Sequence, residues 1–381
     1  MAELNSWQKL DRVLTGKPFG LGTDGAYSSA TVPTIIQLSA TGVATETHFH
    51  ATAGQFVAND VVLIHQSRGT GVGQWEINKV TADNGDGTYT VSEALKYSYV
   101  SPAQVMKIPQ YTNVTVQSGN WTPAYWNQTK GGIFALAANG TVTISGYIDL
   151  YGANGSASLS DQAGRGQDSG GYFGGNNSRD GGGAFQGEGT SGTGTEVQAA
   201  NGNGGGGAEG SSGGLNGGGG GGHAAAGGDG SHGSSGGVAV GSTDLTSLNL
   251  GGGGGGGRSD TNTAGGGGCG GGIVVFFAKD IAASQLVQVT GGNGGTSAGD
   301  GPGAGGAGGS ILLVCATASL GTNKFLALGG TAGGGNAGAG GAGRIAIHHS
   351  GTVTGTASPT FTDVTDTSLV ESSASGFFAF L

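Results

Sequence analysis

From Thr31 onward, hydrophobic and polar positions alternate with a period of two. TVPTIIQLSA, THFHATA, DVVLIHQS, QWEINKVTA, TYTVSEAL and QVMKIPQ are short runs rich in Val, Ile, Thr and aromatic residues, the signature of half-buried strands. ADNGDGTY separates two of them and reads as a hairpin turn. A compact β-barrel or β-sandwich is expected over residues 26–110. Before it, Leu4, Trp7, Leu10 and Leu14 recur at helical spacing, which predicts a short amphipathic helix of about three turns within residues 1–25. Such a helix caps its own domain or docks on a neighbour.

Beyond residue 130 the pattern changes from alternation to repetition. Gly131-Gly132-Ile133-Phe134-Ala135-Leu136 aligns with Gly271-Gly272-Ile273-Val274-Val275-Phe276. Gly308-Gly309-Ser310-Ile311-Leu312-Leu313 and Ala342-Gly343-Arg344-Ile345-Ala346-Ile347 follow the same plan. Each is a small-residue step into an apolar strand. The first three continue to a second strand (TVTISGYIDL, QLVQVT, KFLAL) and then to glycine again. A repeat of about 35 residues predicts strands stacked copy on copy. An insertion at residues 156–265 separates the first two copies; Val238 to Val240 is its one strand-like run.

Composition sharpens this picture. Glycine makes up 90 of 381 residues, and 71 of these fall between Tyr151 and Ile345. A flexible linker is the ordinary meaning of such a stretch. Linkers, however, do not alternate with IVVFF and ILLVC, which must be buried. GGNGGT and GGAGGS also carry a period of three, that of the polyproline II helix. Such a helix makes no internal hydrogen bonds, so its backbone groups must pair with neighbours. Because fixing glycine is entropically costly, the region is either a near-complete hydrogen-bonded lattice or unordered. The all-glycine run at 251–257 suits a helix surrounded on all sides. The fold class expected is therefore mainly β: a barrel or sandwich, then stacked β-strand repeats with packed polyglycine-II helices over 111–350. A Thr/Ser-rich tail with an apolar end, SGFFAFL, closes the chain at 351–381 and should pair with its own domain or another subunit.

Runs such as GGGGGG, GGNGG and GAGGAGG, joined by variable loops, resemble the polyglycine-II tip adhesins on the long tail fibres of T-even-type phages. The resemblance covers roughly residues 131–350. It implies an N-terminal module that attaches to the fibre, a rigid sandwich of glycine helices, and receptor contact through the loops that join them.

The formal net charge is −10, with no basic stripe, so nucleic acid is not an expected partner. No apolar run has the ~20 residues of a membrane helix, and the first residues lack a Sec-type pattern. Cys269 and Cys315 read as buried apolar residues rather than a redox pair. GxSxG occurs at 210–214 and 233–237 without the strand–turn–helix context of a nucleophile elbow. Asp83 to Gly87 looks like a Ca²⁺ loop but lacks its closing Glu, which favours a hairpin turn. Glu46, His48 and His50 share a strand face; His48 and His50 are weak metal candidates, since one chain offers too few ligands. No cofactor is expected. Trp121, Tyr125 and Trp126 suit either a sugar platform or packing at a domain junction.

The large residues set among the glycines of the insertion are the candidates for receptor binding: Arg165, Tyr172, Phe173, Arg179, Asp180, Phe185, His223, His232 and Arg258. A packed lattice has no room for them, so they are expected on its edges or tips, and aromatic and Arg side chains are favoured at recognition hot spots. The function expected is a non-enzymatic virion adhesin of a tail fibre or tail tip. It would form homo-oligomers, join other virion subunits and bind a bacterial surface protein or glycan. A structural subunit of a surface filament or capsid decoration is the alternative, and a polysaccharide-degrading fibre enzyme the third reading.

Overall fold

The computed structural model describes residues 6–158, 166, 169–178, 183–210, 215–259 and 262–369. Arg165, Arg179, Asp180 and the SGFFAFL end lie outside them.

Six antiparallel strands from Gln37–Gly42 to Tyr99–Lys107 close into a barrel. Alternation explains its two packing surfaces. Phe49, Val62, Ile64, Val80, Tyr89 and Val105 fill the barrel interior, while Val61, Leu63, Trp75, Ile77 and Met106 point outward onto the rest of the chain. The Trp75–Asp83 and Thr88–Val91 strands form the expected hairpin. Its acidic side chains are occupied by the turn: Asp83 accepts from Gly85 N and Asp86 from Thr88 N, both at 2.9 Å.

The repeats stack in parallel, in the register their sequences share. Ile133 pairs with Ile273, Ile273 with Ser310, and Ser310 with Arg344. The second strands stack likewise, Ile148 beside Val287, Val287 beside Phe325 and Phe325 beside Ala357. Tyr27–Ser29, expected within the barrel region, instead extends the stacked sheet beside Val114–Val116, which pairs with Val142–Ile144. The sheet is buried on both faces, as the continuous apolar runs require. Phe134, Leu136, Val274, Phe276, Ile311 and Leu313 face the second strands. Ala135, Val275, Phe277, Leu312 and Val314 face the barrel, the N-terminal helix and the insertion.

The helix spans only Gln8–Val13. It caps its own chain: Leu10 is fully buried, the buried Lys9 ammonium pairs with Glu76 of the barrel, and the Trp7 ring lies 3.9 Å from that of His348. Val238 to Val240 forms no strand; Val238 is exposed, and the Val240 carbonyl accepts from Arg344.

Between the repeat strands the glycine segments run extended and buried. The amides of Gly251, Gly254 and Gly257 donate to the carbonyls of Gly271, Gly268 and Gly265 at 2.8–2.9 Å. Those of Gly252 and Gly255 turn to Gly222 and Gly219, and those of Gly253 and Gly256 to Glu188 and Phe185. The carbonyls face three further segments. Gly251 and Gly254 accept from Tyr172 and Gly175, Gly252 and Gly255 from Ala307 and Ala304, and Gly253 and Gly256 from Gly205 and Ala208. One chain segment is thus hydrogen-bonded to six others, returning to each neighbour every third residue. A side chain has no place here: a Cβ on Gly252 would sit 1.8 Å from Asn203 O, and one on Gly255 1.9 Å from Gly206 O.

Candidate functional site

The lattice has two ends. At the near end its segments run into the repeat strands and abut the barrel. At the far end they are joined by turns, among them Ser231–Gly233 and residues 296–300 and 334–337. The far turns are tied to one another. Asp300, itself buried, accepts from Ser259 Oγ at 3.0 Å and Asn262 N at 2.6 Å, and Ser231 N donates to Asn336 O at 2.8 Å.

The candidates divide between these places, and several contradict the expectation of edges and tips. Tyr172 is fully buried at the near end, where its hydroxyl donates to Ser67 O of the barrel and its ring meets Trp126 edge-on at 5.8 Å. Phe173 packs, partly buried, against the same cluster. His223 is fully buried beneath the third repeat strand, with Nε2 3.0 Å from both Asn249 O and Ser310 Oγ. Burial lowers its pKa to about 4, so the ring is neutral. Arg258 is buried at the far end, and its Nε and Nη1 have no hydrogen-bond partner among the described residues. One physical reason covers the three buried ones, Tyr172, His223 and Arg258. The lattice ends on other surfaces: His223 and Arg258 each follow a glycine run, 217–222 and 251–257, and plug its end, while Tyr172 interrupts the run 170–175 where that segment meets the barrel. His232 is exposed in a left-handed turn at φ 55°, and Phe185, like Phe173, is half-buried.

The junction is held by groups that no sequence motif marks. Glu188, 1 % exposed on its side chain, pairs with Arg68 and accepts from Trp126 Nε1 and Phe173 N at 3.0 Å. His65 is buried in a barrel strand, with Nε2 2.9 Å from Leu248 O of the insertion and Nδ1 3.0 Å from Ser67 Oγ. Desolvation lowers its pKa to about 4. Trp121 and Trp126 are buried, as junction packing requires.

His48 and His50 lie on one short strand with ring centroids 5.2 Å apart, and His48 Nε2 is 3.2 Å from Glu46. Among the described residues no three His, Cys, Asp or Glu groups converge as metal ligands. No helix among them is long and apolar enough to cross a membrane.

These features define a predominantly β protein: a closed barrel and a parallel stacked sheet, joined to hydrogen-bonded glycine segments that end in a tied set of turns. No protein-family model and no curated protein matches the chain. Phage tailspikes are among the solved structures similar to it. One is the Gp54 tailspike of Acinetobacter baumannii bacteriophage AP22 in complex with A. baumannii capsular saccharide, at 8 % identity and a TM-score of 0.20, over 89 % of this chain and 47 % of that one. The other is the tailspike protein gp49 from Pseudomonas phage LKA1, at 13 % identity and a TM-score of 0.20, over 87 % and 48 %. The chain spans about half the length of the tailspikes it matches. The non-enzymatic expectation is corrected at this point: a chain whose structural neighbours are tailspikes, one of them holding a saccharide, cannot be set down as a non-enzyme. A likeness at this TM-score assigns no reaction in its place.

Proposed function

We propose that the chain is a structural protein of a phage tail, in a fibre or at the tip, that carries receptor-binding turns on a rigid glycine scaffold. Its partners in this reading are other virion subunits, further copies of itself and a glycan or protein of the bacterial surface. The segments with three-residue hydrogen-bond periodicity act as polyglycine-II helices. The observation that carries the reading is the enclosure of residues 251–257 by six neighbours. It fixes where both ends of every segment lie, so turns of variable sequence can change without disturbing the scaffold.

Fluorescently labelled protein tests this on a panel of capsulated and acapsular bacterial strains. Saturable binding to a subset of strains is expected, lost when residues 296–300 and 334–337 are replaced by Gly-Ser spacers. Binding to no strain, or binding indifferent to that replacement in a protein that keeps its circular dichroism, contradicts it.

A further inference from the structure

The second strands of the stacked sheet turn one face to the core and the other outward. Ile148, Leu150, Val287, Val289, Phe325 and Ala357 point inward, so the residues that alternate with them point out. Strand pairing sets the outer residues in rows. Asp149 lies beside Gln288, Gln288 beside Leu326 and Leu326 beside Ser358. Tyr147, paired with Asn120, precedes Asp149 on the same face of its strand, and Tyr151 follows it. The face is open to solvent: Tyr147, Tyr151 and Leu328 are 44 %, 39 % and 41 % exposed.

Three properties of this face select its occupant. First, Tyr147 and Tyr151 are the only aromatic residues among the exposed large hydrophobics of the described chain, and four strand residues set them ~13 Å apart. An exposed phenol ring offers an apolar surface to the C–H side of a pyranose, and its hydroxyl remains for a polar contact. Second, amides beside the two rings are held in place. Gln288 Nε2 donates to Asp149 Oδ1 at 3.0 Å and Asn120 Nδ2 to Asp149 Oδ2 at 3.4 Å. Asn120 is exposed and Gln288 half-buried, and among the described residues no protein group donates to either amide oxygen, so both remain as acceptors for hydroxyls. Third, size and charge narrow the choice. The length from Tyr147 to Tyr151 across five strands, spaced at ~4.8 Å, makes a patch of about 300 Å². A stable protein interface buries ~800 Å² on each partner, so the patch is too small for a second copy and large enough for a short sugar chain. Asp149 sits between the tyrosines, and Lys324 of the same face is two strands away, which disfavours an acidic sugar against a neutral one.

We propose that this outer sheet face binds a short, neutral stretch of a bacterial surface glycan, with Tyr147 and Tyr151 packing on sugar rings and Asn120 and Gln288 accepting from hydroxyls. This rests on the receptor-binding reading above but uses a surface separate from the far turns, so the two can fail separately.

Saturation-transfer NMR on the full chain, with linear trisaccharides of glucose, galactose and mannose and with trigalacturonate, tests it. Sugar-proton saturation is expected from at least one neutral trisaccharide and not from trigalacturonate. Tyr147→Ala and Tyr151→Ala should each weaken binding by about tenfold, while Tyr151→Phe and Val57→Ala, the latter exposed on the barrel, should keep it. No saturation from any neutral trisaccharide, or equal binding by the parent and by Tyr147→Ala/Tyr151→Ala, overturns the proposal. So does an oligomer in sedimentation that the double variant dissociates, which would assign the face to a second copy of the chain. If the face fails while cell binding depends on the far turns, the receptor-binding reading stands. Trisaccharide binding that needs both tyrosines, without cell binding, would support the face and refute the reading on which its biological role rests.

Discussion

The amide of Gly254 donates to the carbonyl of Gly268 at 2.9 Å, across two glycine segments that run in opposite directions. The same pair of segments meets again three residues away on either side, at Gly251 with Gly271 and Gly257 with Gly265. Backbone approaches of this kind leave no volume for side chains, which makes the lattice sensitive to a single methyl group. A Cβ on Gly254 would lie 2.3 Å from Ala304 O, whereas one on Gly335 would meet nothing within 4 Å. Gly254→Ala is therefore expected to destabilise the protein by about 3 kcal/mol or more, since the clash is with fixed backbone. Gly335→Ala should be neutral or stabilise by up to ~1 kcal/mol. Urea midpoints of the two variants check this.

Lys9 and Glu76 form a buried ion pair that docks the N-terminal helix on the barrel. Glu76 Oε1 also accepts from Lys96 N at 2.9 Å and the Tyr99 hydroxyl at 3.1 Å. Lys9→Met leaves this carboxylate buried without its cation, at a cost of about 3–5 kcal/mol. Denaturant unfolding measures that cost, and the double variant Lys9→Met/Glu76→Gln should recover a large part of it.

His65 and His223 are buried neutral, each with its pKa lowered to about 4 by desolvation. Because the unfolded ring titrates near 6.5, the unfolded state binds more protons between these values, and stability falls as pH falls through that window. Each histidine should contribute a loss of about 2 kcal/mol between pH 7 and pH 5. His65→Gln should flatten the pH dependence of the unfolding free energy relative to the parent, whatever it does to stability at pH 7.

Cys269 and Cys315 are buried thiols that form no disulfide. Burial, helped by the nearby Asp280 charge, pushes the Cys315 thiol up to about 12. Neither should react with a thiol reagent at pH 8 in the native protein, and both should react in denaturant. Native reactivity of either would show that its packing opens.

The stacked architecture was legible because each repeat buries the same short strand. The alignment that sets Ile133, Ile273, Ser310 and Arg344 in one column is the register of the sheet itself. The barrel was legible from alternation, and the outcome at Asp83 from turn chemistry. What surrounds a glycine segment was not legible, because identical residues carry no label of their neighbour. For the same reason Tyr172, His223 and Arg258 were expected outside although they plug the lattice joints. His65, Arg68 and Glu188 sit in ordinary strand and loop contexts, and only the tertiary junction gives them partners.

Hydrogen exchange over residues 251–257 tests the scaffold most directly. Seven consecutive amides, each hydrogen-bonded to another segment, should exchange only by opening of the lattice, orders of magnitude more slowly than an unfolded chain. Exchange at the unfolded rate would contradict the enclosed lattice and remove the main support for turns carried on a rigid frame.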